Sequence, residues 1–157
     1  MMSSVRTVLI VANQTIGGRD LSAAVSERLG GGDCAFHLVV PVPPTPPSVI
    51  AAGLAAIESA APAMIDVPDQ RIVAAERLEA GMEWLRSLGA TATGEVGSTD
   101  AVATVSAVVE RDPIDEIIVS TLPSRLSRWL KQDLPRKLER AVSVPITVVT
   151  ARSDPNT

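Results

Sequence analysis

Ser120, Thr121, Pro123, Ser124, Arg125, Arg128, Lys131 and Asp133 lie within fourteen positions of one another, between two apolar stretches. Hydroxyls beside guanidinium and ammonium groups could hold an anion, the hydroxyls donating and the cations supplying counter-charge. The same cations could face an acidic partner protein. From Ser120 to Pro145 the chain has six basic residues, Arg125, Arg128, Lys131, Arg136, Lys137 and Arg140, against Asp133 and Glu139. The whole chain is acidic, with a net charge of −4, so this stretch stands apart from the rest. A solvated helix face is the plain reading of those charges, and an anion-facing or partner-facing patch at Arg125, Arg128, Lys131, Arg136 and Lys137 is the sharper one.

Other chemistry has less to build on. His37 is the only histidine and falls within a strand pattern, which marks it as a satisfied or half-exposed strand residue. One cysteine, Cys34, and one histidine cannot make a structural zinc set of such ligands within one chain. Ser120 and Ser124 have no neighbouring base to activate them as nucleophiles. Glu76, Glu79 and Glu83 share part of a helix surface and read as a solvated face. The expectation is a protein that is not an enzyme and holds no metal.

These residues need a scaffold, and the composition points to one. Aromatic residues are 2% of the chain although hydrophobic residues are 46%, so the apolar mass is aliphatic. Val- and Ile-rich runs alternating with Ala- and Leu-rich amphipathic segments are the pattern of an α/β sheet with helices on its faces. The chain of 157 residues suits one domain, expected over 1–151, with a polar tail over 152–157. A lone cysteine is simplest in a reducing cytoplasm. No apolar run reaches the roughly 18 residues that a membrane helix needs, and the acidic total argues against nucleic acid. We therefore expect neither membrane insertion nor a nucleic-acid partner.

Taken in order, Thr7 to Ala12 is a continuous apolar run, the pattern of a central parallel strand. A helix follows from Arg19 to Leu29, with Leu21, Ala24, Val25 and Leu29 on one face and Gly30 to Gly32 ending it. Ala35 to Val40 is the second strand. Five prolines between Pro41 and Pro47 then make an extended connection. Ala51 to Met64 is alanine-rich and partly helical in pattern. A long helix starts after Asp69 as N-cap and runs to Leu88, with Ile72, Ala75, Leu78, Met82, Leu85 and Leu88 as its apolar stripe. Thr91 to Val96 reads as an edge strand. Asp100 to Arg111 is a helix with Ala101, Val105 and Val108 on one face. Glu116 to Ser120 and Ile146 to Thr150 are the last strands, joined by a helix beginning near Asp133, with Leu134, Leu138, Ala141 and Val142 as its face.

This order, and the wording of the last stretch, resemble the universal stress protein family from about Val5 to Thr150. Ile117 to Val119 match the family's fourth strand, and Pro145 to Val149 match its proline-led fifth. Gly97 matches a glycine after the third strand. The resemblance implies a single doubly wound domain of five parallel strands in the order 3-2-1-4-5. It also implies an adenine-nucleotide pocket at the strand ends, around Ala12, Asn13, Val40, Gly97, Ser120, Thr121, Pro123, Ser124, Arg125, Asp133 and Leu134.

The family's nucleotide-binding branch holds ATP with a signature G-x2-G-x9-G-S/T after the fourth strand, and an aspartate closes its first strand. Here the signature positions carry Ser120, Pro123, Asp133 and Leu134, and the aspartate is Asn13. Glycines serve a phosphate loop because a missing Cβ lets backbone N–H groups reach the oxygens. Pro123 has no N–H to give. Asp133 would bring a carboxylate toward the phosphates, a repulsion of about 1 kcal/mol at ~4 Å in water and about 4 kcal/mol at an effective dielectric of ~20. As helix N-cap, Asp133 occupies the anion site from within.

The expected function is therefore a universal stress protein-like accessory or regulatory module that needs no cofactor and does not bind ATP through the usual loop. It would act as a homodimer through the final strand region, with a protein partner at the basic segment. The alternative is a sensor of ATP, ADP or cyclic AMP with an altered loop, using Ser120, Thr121 and Ser124 as donors and Arg125 or Arg128 as counter-charge.

Overall fold

A computed structural model describes residues 5–13, 15–42, 69–121 and 134–150. The expected proline-rich connection beyond Val42, the alanine-rich stretch to Met64, the C-terminal tail and the loop bearing Pro123 to Asp133 lie outside the described residues.

Five strands form one parallel sheet: β1 (Arg6–Val11), β2 (Cys34–Val40), β3 (Thr91–Val96), β4 (Glu116–Thr121) and β5 (Ile146–Thr150). Their order across the sheet is β3-β2-β1-β4-β5. β1 pairs with β2 from Arg6↔Cys34 to Val11↔Val39, and with β4 from Val8↔Glu116 to Val11↔Val119. The continuous apolar runs expected of central strands occupy the centre, where both faces are covered. Val8 to Val11 and Ile117 to Val119 are all buried.

The alternation of a strand splits this core into two layers. On one face Val8, Ile10, Phe36, Leu38 and Ile118 pack with helix α1 (Arg19–Gly30) through Leu21 and Val25, and with helix α2 (Gln70–Ser87) through Ala74 and Leu85. On the other, Leu9, Val11, Val39, Ile117 and Val119 pack with α3 (Ala101–Arg111) through Val105 and Val108, and with α4 (Leu134–Ala141) through Leu134 and Leu138. The Asp69 side chain accepts from the Arg71 N–H at the start of α2, as expected of an N-cap. Gly89, with φ +89°, takes the left-handed turn that ends that helix.

Two helix faces differ from the sequence reading. In α2, Ile72 is 59% exposed, and the buried positions are Ala74, Gly81 and Leu85. Small residues set that face, because α2 lies close on the sheet. A Cβ at Gly94 of β3 would come within 2.5 Å of Leu78 Cδ1 and 2.8 Å of the Leu38 carbonyl oxygen. Counting large apolar residues finds Leu78, Leu85 and Leu88, which do pack on the core, but misses the contact points at Ala74 and Gly81. In α4, Leu134 and Leu138 are buried but Ala141 is exposed, since the helix ends there and the chain turns toward β5.

Candidate functional site

The ends of β1 and β4 meet where the strand order reverses, the place where open α/β sheets take ligands. β1 is followed by Ala12, buried, whose N–H donates to the Val39 carbonyl. Asn13 comes next and is 6% exposed. Its Nδ2 donates to the Pro41 carbonyl at 2.8 Å, and its Oδ1 accepts from the Arg77 guanidinium of α2. Both halves of the amide are thereby engaged.

Thr15, also buried, stands 2.6 Å from Ser120, hydroxyl to hydroxyl, and its Oγ1 lies 3.4 Å from the Ser120 carbonyl oxygen. Ser120 and Thr121, at the end of β4, are themselves buried. Val40 at the end of β2 is buried, and its carbonyl accepts from the Gly97 N–H at 2.9 Å. Gly97 is held against α3: an added Cβ would lie 3.0 Å from Thr104 Cγ2 and 3.3 Å from Val39 Cγ1. The glycine has a packing reason that needs no ligand.

Leu134, expected at the signature's hydroxyl position, is buried in the layer beneath α3 and α4. Arg136 and Lys137 on α4 are exposed. Pro123, Ser124, Arg125, Arg128, Lys131 and Asp133 lie outside the described residues. Of the expected site residues, Ala12, Asn13, Val40, Gly97, Ser120 and Thr121 thus gather at the carboxyl ends of the strands, and Leu134 points into the core. Sequence reasoning missed Arg77 and Thr15. Arg77 sits off the apolar stripe of α2 like any solvated arginine, and only the packing of α2 brings it to Asn13.

Two further polar groupings lie elsewhere. On β2 and β3, His37 bonds Thr93 Oγ1 through Nδ1 and Glu95 Oε1 through Nε2, each at 2.8 Å, and Arg111 reaches the same Glu95 oxygen at 2.6 Å. Arg111 foremost, with His37 assisting, holds the Glu95 carboxyl below the usual range against the opposing effect of its burial. His37 is the satisfied strand histidine expected. At the opposite pole a cavity of about 230 Å³ is lined by Arg6, Arg28, Cys34 and Glu116 among others. Burial pushes the Cys34 thiol up, away from reactive thiolate. Among the described residues no cluster of three or more His, Cys, Asp or Glu could hold a metal, no buried side-chain polar atom lacks a partner, and no helix is long and apolar enough to cross a membrane.

The sequence matches no protein-family model and no curated protein. Solved structures do resemble it. A universal stress protein from Archaeoglobus fulgidus is 13% identical, with a TM-score of 0.59 over 92% of this chain and 93% of that one. The fold is that of the universal stress proteins. A universal stress protein family protein from Arabidopsis thaliana with AMP bound is 12% identical, with a TM-score of 0.59 over 95% and 94% of the two chains. A universal stress protein in complex with cAMP is 13% identical, with a TM-score of 0.56 over 96% and 100%. Within this universal stress protein fold, the carboxyl ends of β1 and β4 carry side chains bonded to one another.

Proposed function

We propose that this chain is an accessory or regulatory module of universal stress protein type that does not hold ATP through the usual loop and has no catalytic activity of its own. The observation that carries this reading is the pairing of polar groups at the switch point. Thr15 and Ser120 share a bond of 2.6 Å, and Asn13 is engaged by Pro41 and Arg77. A nucleotide entering here must break bonds already made, at a cost of about 1 kcal/mol each. Leu134 adds to this, being buried where the signature asks for a hydroxyl.

The module would act through surfaces. β5 is an edge strand with Val148 46% exposed, and a second copy pairing there would cover it. Arg136 and Lys137 continue the basic segment of Arg125, Arg128 and Lys131 and suit an acidic protein partner. The reducing cytoplasm, where the single cysteine stays a thiol, is the compartment this reading takes. Nucleic acid and membrane insertion have no part in it.

A second reading is a nucleotide sensor with an altered loop. It is favoured by the AMP and the cAMP bound to two proteins of similar fold. Melting temperature with and without millimolar ATP-magnesium, ADP or cyclic AMP separates the two. A ligand at about 100 times its Kd stabilises by about 2.7 kcal/mol. We expect no shift in the wild type, and a shift after Pro123→Gly with Asp133→Gly. A clear upward shift of the wild type with any of the three would overturn the first reading in favour of the second. Light scattering should give a dimer that Val148→Lys converts to monomer, and a monomeric wild type would remove the dimer.

A further inference from the structure

We propose that the amino pole of the sheet binds a free α-amino acid with an aliphatic side chain. Two cavities meet there, one of about 230 Å³ and one of about 380 Å³, and Gly32, Asp33 and Cys34 line both. The larger has an apolar wall of Val5, Leu29 and Leu88. Val5 is 54% exposed, so an aliphatic group seated against it takes apolar surface out of water. The smaller holds charges of both signs, Arg6, Arg28 and Glu116 among them. A cation, an anion and an apolar slot side by side are what a zwitterion with an aliphatic side chain requires.

The charges are not equivalent. Arg28 and Glu116 are committed to one another by two bonds. Arg6 is 55% exposed and gives Glu116 one bond, at 3.2 Å, to the Oε1 that Arg28 Nε already holds at 3.0 Å. A guanidinium has further N–H donors, so Arg6 can take a ligand carboxylate while Arg28 and Thr147 keep Glu116 in place. Asp33 is exposed, and among the described residues no bond engages its side chain. Its carbonyl accepts from the Arg6 N–H at 3.1 Å, which sets the two residues side by side. Asp33 is thus the partner for the ligand ammonium. The helices favour a cation at the same place. α1 ends at Gly30 and α2 at Ser87, and Gly32 and Gly89, just beyond them, line the larger cavity. The last carbonyls of a helix carry partial negative charge. A Cβ at Gly32 or Gly89 would meet nothing within 4 Å, so the space between the two helix ends is open.

The site lies at the amino ends of the strands, away from the crevice of β1 and β4, so its test is separate from the ATP experiment above. The full chain, labelled with nitrogen-15, is titrated to millimolar L-leucine and followed by the amide signals of Gly31, Gly32 and Gly89. Leucine amide, 4-methylpentanoate and glycine are the comparison probes; they lack in turn the carboxylate, the ammonium and the side chain. Leucine should shift the three glycine signals, and each comparison probe should bind more weakly by about tenfold or more. Arg6→Gln should weaken leucine about tenfold and abolish its advantage over leucine amide, which loss of packing alone would not do. Asp33→Asn should weaken leucine to a similar extent, and it carries the test if Arg6→Gln does not fold. No shift with leucine, equal binding of any comparison probe, shifts confined to the carboxyl ends of the strands, or leucine binding unchanged in Asp33→Asn overturns the proposal.

Discussion

The Arg28 guanidinium grips the Glu116 carboxylate with two bonds, Nε to Oε1 at 3.0 Å and a terminal nitrogen to Oε2 at 2.7 Å. Arg6 adds a third at 3.2 Å and Thr147 a fourth at 2.7 Å. One buried carboxylate thereby ties α1, β1, β4 and β5 together at the amino ends of the strands. Both carboxylate oxygens are used on structure, which makes this a clasp.

Truncating the clasp should be severe. Glu116→Leu leaves Arg28, only 14% exposed, with no acid but the exposed Glu27 at 3.8 Å, and should cost about 3 kcal/mol. Urea unfolding measures it. A loss below about 1 kcal/mol would make the clasp no better than a surface pair.

The same carboxylate gives a pH dependence. Arg28 foremost, with Thr147 and Arg6, holds Glu116 below the usual carboxylate range despite its burial. A carboxyl with a depressed folded pKa stabilises above its unfolded value, about 4.3, and loses that contribution as pH falls toward the folded value. The melting-temperature gap between wild type and Glu116→Gln should therefore be steady from neutrality to about pH 5 and shrink below about 4.3. A gap unchanged under acid contradicts the assignment. Glu95, shifted the same way, titrates in both proteins and cancels.

Gly94 should not tolerate a side chain. Alanine there meets Leu78 Cδ1 at 2.5 Å and the Leu38 carbonyl oxygen at 2.8 Å. The leucine can move, but the backbone of β2 cannot without disturbing the sheet. We expect Gly94→Ala to cost about 2 kcal/mol by overpacking, and Leu78→Ala not to rescue it. Chemical denaturation of the two single variants and the double checks both points.

The Thr15 and Ser120 hydroxyls should be energetically coupled. Thr15→Val leaves the Ser120 hydroxyl without its partner in a buried site, at about 1–2 kcal/mol, whereas Ser120→Ala leaves Thr15 the main-chain carbonyl of that position at 3.4 Å and should cost less. The double variant should cost less than the two together by about 0.5 kcal/mol or more. Strict additivity would mean that the pair does not act as a unit.

The central strands were legible because a strand buried on both faces must be apolar along its middle, as β1 is from Val8 to Val11 and β4 from Ile117 to Val119. Asp69 as N-cap and the α3 face of Ala101, Val105 and Val108 were legible for the same local reasons. The α2 stripe was legible in part: Leu85 is buried, and Leu78 and Leu88 pack on the core, as expected. Its other contacts run through Ala74 and Gly81, whose value lies in the volume they leave, and Ile72, the larger residue, is turned to solvent. The candidate site was legible only in part. Asn13, Ser120 and Thr121 fall at strand ends that can be counted along the chain, whereas Arg77 and Thr15 reach them across 64 and 105 positions.

By itself the sequence determined which segments are strands and helices, since hydrophobic period and capping are properties of neighbouring residues. Only the tertiary structure decided which charges meet. That Arg28 meets Glu116 while Arg77 meets the Asn13 amide follows from how the helices lie on the sheet, and pairing distances between groups so far apart in the chain are set by packing, which no local pattern encodes.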